Sequence, residues 1–184
     1  MLSTSLTSNN LDKRERKMYN GEMESRKKRV YVDNSVVSGM FDYHLPERVE
    51  LTGLFWQDVI DGKICIIASD VLGEEQEKAP PHVRDFFARL PESQIERVVA
   101  TSESDALAAQ YIGAKVISEN HLNDCRHVAL ATITLADAVV SWNCEDMVNV
   151  NRIPKYNEVN EKHGYKEIKI LTPNDFMEAH HGNT

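Results

Sequence analysis

A chain of 184 residues, 41% hydrophobic and 27% charged, has the length and composition of one soluble globular domain. No apolar run nears the ~20 residues of a membrane span and the first residues lack a signal-peptide core, so the expectation is a cytoplasmic protein with no membrane partner. The net charge of −8 divides unevenly: residues 1–29 hold eight Lys/Arg against four Asp/Glu, and residues 30–184 hold 13 against 25. An acidic body of that kind is a poor nonspecific binder of nucleic acid but suits a domain that gathers carboxylates around a divalent cation.

Residues 1–28 are polar, lack apolar periodicity and run into the basic stretch Arg26-Lys27-Lys28-Arg29, which predicts a disordered or weakly helical tail before a domain spanning 29–184. "RVYVD" reads as a strand ending in Asp33. Pro46 in a first turn and Gly62 at the close delimit a helix between them. "KICIIAS" is an unbroken apolar run, as expected for a strand covered on both faces. Ser69 is placed to cap the helix "DVLGEEQEK", which Pro80-Pro81 end before the helix "HVRDFFARL". After the strand "IERVVAT", Ser102 and Asp105 have the spacing of a capping box.

A helix from Leu122 to about Leu135 leads into the strand Ala138 to Trp142, and the chain closes with the strand "KEIKILT" and the capped helix "TPNDFMEAH". Strands alternating with helices predict an α/β domain with a mainly parallel central sheet. Cys65, Cys125 and Cys144 form no C-x-x-C pair, which argues against a disulfide framework or zinc site and for buried reduced thiols.

In parallel sheets, sites collect beyond the carboxyl ends of the strands. Asp33 ends the first strand, Glu74 and Glu75 lie in the helix after the second, Asp124 opens the helix before the fourth, and Asn143 and Asp146 follow that strand. Each acid alone would be an ordinary cap or turn residue. Together, four segments bring oxygen donors toward one sheet edge, the donor set of a hard cation such as Mg²⁺ or Mn²⁺. Trp142 is read as core, with base stacking as the alternative. His180 and His181 are read as a frayed end, Asp137 as a turn acid, and Asn149 and Asn151 as residues lining the cleft.

"VYVDNSVVSGMFD", "ASDVLGEEQEKAP", "NDCRHVALATITLADAVVSWNCEDMVN" and "GYKEIKILTPNDF", in that order, resemble PIN-domain proteins of the VapC-type toxin-like subgroup, from about Arg29 to Phe176. The resemblance implies a three-layer α/β/α sandwich and a Mg²⁺- or Mn²⁺-dependent endoribonuclease. It implies Asp33, Glu75 and Asp124 as catalytic acids that hold the cation, with Asn143 and Asp146 completing the metal site. Glu75 matches the helix acid better than Glu74. Ser35 matches a small hydroxyl residue, and His127 would orient Asp124 or a phosphate, with a packed helix histidine as the alternative. The chain departs from many relatives in carrying Asn143 in place of Asp, and Asp146 in place of His. The implied partners are an RNA substrate, an antitoxin protein and a second copy in a homodimer. The rival expectation is a catalytically weak or inactive PIN-like module that binds RNA or protein. A haloacid-dehalogenase-type phosphotransferase would need a second Asp where Ser35 stands.

Overall fold

The computed structural model describes residues 27–182, so all but the last two residues of the expected tail lie outside the described residues. Five strands form one parallel sheet: β1 (Lys28–Val32), β2 (Ile64–Ser69), β3 (Ile95–Val98), β4 (Ala138–Val140) and β5 (Ile170–Leu171). Their spatial order is β3-β2-β1-β4-β5, with β1 at the centre. The chain builds outward on one side through β2 and β3, then crosses back to build β4 and β5 on the other. This reversal opens a crevice between the carboxyl ends of β1 and β4, where such sheets take their ligands.

The eight helices of the described residues are α1 (Asn34–Ser38), α2 (Pro46–Ile60), α3 (Asp70–Lys78), α4 (Pro81–Ala88), α5 (Ser102–Gly113), α6 (Leu122–Ile133), α7 (Ile153–Lys162) and α8 (Pro173–His181). The two-residue period of β1 sorts them into layers. Tyr31, with Ile67 and Val139, packs under Leu107 and Tyr111 of α5, Val128 of α6 and Tyr156 of α7. Val30 and Val32, with Ile66 and Val140, face the opposite way onto Val36 of α1, Phe55 and Trp56 of α2, Val83 of α4 and Phe176 of α8. The result is the three-layer α/β/α sandwich that the sequence suggests.

Local signals were mostly faithful. Pro46 starts α2, and Gly62 follows its end with a φ of 77°, a left-handed value that a side chain would strain. Ser69 caps α3 by accepting from the Leu72 N–H. Four expectations need correction. The capping box of α5 is built on Thr101 and Ser104 instead of Ser102 and Asp105, each hydroxyl accepting the other residue's N–H at 3.1 and 2.8 Å. β5 is only two residues long, because the Ile168 N–H goes to Asn157 Oδ1. His180 and His181 are not frayed: His180 stacks on Phe176, and His181 Nε2 lies 2.8 Å from the buried Asp58 carboxylate. Finally, all three cysteines are free, but only Cys125 is buried, and Cys144 is exposed.

One close approach fixes the segment after β4. A Cβ added to Gly39 would meet Trp142 Cδ1 at 2.9 Å and Thr52 Oγ1 at 3.1 Å, and that hydroxyl accepts from Trp142 Nε1 at 2.9 Å. Gly39→Ala therefore has to push the indole off its hydrogen bond, and should cost about 1–3 kcal/mol. Gly53 in α2 has nothing within 4 Å of its added Cβ. Gly53→Ala should instead stabilise by about 0.4–1 kcal/mol. Urea midpoints of the two variants against the parent check both signs.

Candidate metal centre

Asp33 leaves β1 into the crevice and is 5% exposed. Its Oδ1 accepts from Ser35 Oγ at 2.6 Å and its Oδ2 from Ser141 Oγ at 2.8 Å. Both serine oxygens in turn accept from the backbone after β4: Ser35 from the Trp142 N–H and Ser141 from the Asn143 N–H, at 2.8 and 2.9 Å. One carboxylate thus fastens the end of β1 to the end of β4.

That backbone delivers Asn143. Its amide donates to Asp124 Oδ1 at 3.1 Å, while its oxygen accepts the Asp146 N–H at 3.1 Å. Asn143 thus ties Asp124 to the start of the Asp146 turn. Asp124 and Asp146 converge with His121, whose Nδ1 stands 3.4 Å from Asp124 Oδ2 and 3.0 Å from Asp146 Oδ2. One ligand atom from each of the three lies within 4.8 Å of the others. Arg152 pairs with the other oxygen of Asp146.

Glu75 approaches from α3. Helix phase sets the two neighbours apart: Glu74 is exposed, whereas Glu75 is half-buried. Gln76 is buried and donates to Asn34 Oδ1 at 2.5 Å, which ties α3 to the turn after Asp33. Glu75 Oε1 lies 3.2 Å from Nε2 of His127, off the N–H direction, so their attraction is Coulombic and not an aligned hydrogen bond. His127 is 1% exposed, and its Nδ1 is 2.9 Å from Tyr31 Oη, which also meets Ser69 Oγ at 2.6 Å. His127 therefore faces the acids from inside the fold and presents no nitrogen to solvent.

The electrostatics follow from burial. Burial pulls the His127 imidazolium down, but Glu75, Asp33 and Asp124 outweigh it and hold the ring above its ordinary value. Burial pushes the Asp33 carboxyl up against His127 and its two serine donors. Burial and then the neighbouring Asp146 push Asp124 up. Asp33, Glu75, Asp124 and Asp146 thus gather at one crevice, with Arg152 against Asp146 and His127 beneath Glu75. Carboxylate oxygens with an imidazole nitrogen are a donor set a divalent cation accepts, so the residues fit one.

The structure brings Asp124, Asn143 and Asp146 into direct contact, and couples Asp33 and Glu75 to them through His127. Ser35 is occupied with Asp33 and the Trp142 N–H. Asn149 and Asn151 shape their own loop, Asn149 accepting the Asn151 N–H at 3.0 Å. Asp137 Oδ2 accepts the Arg29 N–H at 2.8 Å beside β1, as a turn acid does. His121 was missed. Its place one turn before Asp124 was the available signal, but its other partner, Asp146, is distant in sequence.

No family model matches the chain, and no curated protein does. Among solved structures it is similar to the crystal structure of VapBC2 from Rickettsia felis bound to a DNA fragment from its promoter. The identity is 11%, the similarity covers 78% of this chain and 98% of that one, and the TM-score is 0.47.

The raised Asp33 carboxyl has a thermodynamic sign. A carboxyl whose folded pKa exceeds its unfolded value, about 3.9, adds stability below that value and loses it as pH rises through the folded pKa. Asp33→Asn removes the buried charge and keeps an acceptor for a serine hydroxyl. In EDTA its melting temperature should lie nearest the parent's below the unfolded pKa and gain on it as pH rises through the folded pKa, as read by calorimetry across a pH series.

Proposed function

We propose that this chain is a divalent-cation-dependent endoribonuclease. The observation that carries the reading is the group of carboxylates at the β1/β4 crevice, where Asp124 and Asp146 converge with His121. Three of the four segments that resemble PIN nucleases bear the acids of this crevice. On this reading Asp124 and Asp146, with His121, hold the cation, while Asp33 and Glu75 face it from the opposite wall. The bound cation supplies Lewis acidity: it stabilises charge on a phosphoryl oxygen and lowers the pKa of water.

The chain's own residues do the rest. Asn143 holds Asp124 and Asp146 at a fixed separation, so their geometry does not depend on the ligand. His127 offsets part of the acid charge from beneath, which lowers the repulsion the site must bear before the cation arrives. Arg152 holds Asp146 on one oxygen and leaves the other toward the cluster. The PIN resemblance extends the reading to a toxin restrained by an antitoxin protein, and to a homodimer.

A second reading has one observation in its favour. Arg152 and His121 already partner Asp146, which suits a module that binds RNA without cutting it.

Single-stranded RNA incubated with the protein and Mg²⁺ or Mn²⁺ decides between them: the nuclease cuts it and stops in EDTA. Asp124→Asn should lower the rate by about a hundredfold or more, since it alters a ligand and not its surroundings. Glu75→Gln should lower it far more than Glu74→Gln. Binding without cleavage at any cation concentration would establish the second reading.

A further inference from the structure

Asp124 and Asp146 each keep one oxygen on a protein donor and turn the other toward His121. Asp124 Oδ1 accepts from the Asn143 amide at 3.1 Å, and Asp146 Oδ1 pairs with Arg152. The remaining oxygens, Asp124 Oδ2 and Asp146 Oδ2, stand 3.4 and 3.0 Å from one atom, His121 Nδ1. The donors that converge here are therefore two carboxylate oxygens and one imidazole nitrogen.

His121 is not occupied with its own helix. It stands at the N-cap position of α6, yet its side chain makes no cap hydrogen bond. The ring turns instead to Asp124, one turn on, and across to Asp146 in the segment after β4. Its side chain is 41% exposed, which leaves a way in from solvent for an ion. The spacing is that of a coordination shell. Two ligand atoms about 2.1 Å from one ion stand about 3.0 Å apart at a right angle and about 3.4 Å apart at the tetrahedral angle. Both separations from Nδ1 have these values with the side chains where they already are.

From this donor set we propose that His121 is a nitrogen ligand that biases the site toward a cation of the first transition row, such as Mn²⁺, over Mg²⁺. Mg²⁺ is a hard ion that seeks oxygen and gives up its waters reluctantly, whereas imidazole suits transition cations. An oxygen in place of Nδ1 would narrow the preference. The inference rests on the cation site of the nuclease reading, and does not depend on RNA being cut.

The test uses the full chain without RNA, in alkaline buffer, since a ligating imidazole must be neutral. Titration calorimetry should find Mn²⁺ bound about tenfold or more tighter than Mg²⁺. His121→Ala should weaken Mn²⁺ about tenfold and Mg²⁺ about twofold or less, and His121→Asp should bind both ions with the preference narrowed. Pulsed paramagnetic resonance of the protein with one equivalent of Mn²⁺ should show the nitrogen coupling of a bound imidazole. That coupling should vanish in both variants, which keep the other six histidines. Circular dichroism checks that each variant folds.

Mn²⁺ bound without a nitrogen coupling would overturn the proposal and leave His121 a mere ion-pair partner of the two acids. A coupling that survives in His121→Ala would overturn it too, as would equal affinities of the parent for the two ions. Cation-dependent cleavage of RNA without the coupling keeps the nuclease and removes the nitrogen ligand. The coupling without cleavage keeps the ligand on a protein that does not cut RNA. Binding of neither ion would overturn the ligand and the nuclease reading together.

Discussion

The Asp33 carboxylate is the fastening on which the crevice depends. Burying a charge is costly unless its oxygens are satisfied, and here each takes a serine hydroxyl from a different part of the chain. Those hydroxyls then receive the N–H groups of Trp142 and Asn143, so the two strands that diverge at the switch point are laced together through side chains. An amide at position 33 would escape the cost of a buried charge, but it would offer an acceptor to only one of the two serine hydroxyls. Asn143, Trp142 and Cys144 inherit their positions from it.

The remaining acids are arranged around a second buried group. His127 sits beneath the site with Tyr31 on one nitrogen and Glu75 near the other. Tyr31 belongs to the central strand and Ser69 to the end of β2, so the chain Ser69–Tyr31–His127 carries the register of the sheet into the position of the imidazole. Repulsion within the acid cluster is eased by Arg152 at its side, and the same acids raise the pKa of the imidazole beneath them.

Features set by neighbours in sequence were legible in it. Pro46, Gly62 and Ser69 act within one turn of where they stand, and the apolar runs of β1, β2 and β4 declare burial on two faces. Asp33, Glu74, Glu75 and Asp124 stand out as candidates in the sequence because strand ends are where a parallel sheet places ligands, and the preference for Glu75 came from the PIN resemblance. What could not be read depends on partners far along the chain. His121 meets Asp146, His181 meets Asp58, and Ser141 meets Asp33 only once the sheet has closed. The misplaced cap of α5 is a different failure: Thr101 and Ser102 are adjacent hydroxyls of similar cap propensity, and the fold chose the one whose partner at the third helical position is Ser104.

The central position of β1 also sets the order of events during synthesis. Its pairing with β2 joins Lys28 to Ile64 and can form early, but Asp33 meets Ser141 only after 108 further residues have been added. At roughly 5–20 residues per second, that interval is on the order of 5–20 seconds on a bacterial or eukaryotic ribosome. Throughout it the carboxylate at the strand tip stays hydrated and ionised, a charged stopper on an otherwise apolar strand edge that β4 has yet to cover. The acid centre is therefore completed late, and the nascent chain carries no competent site while its first strand waits for its neighbour.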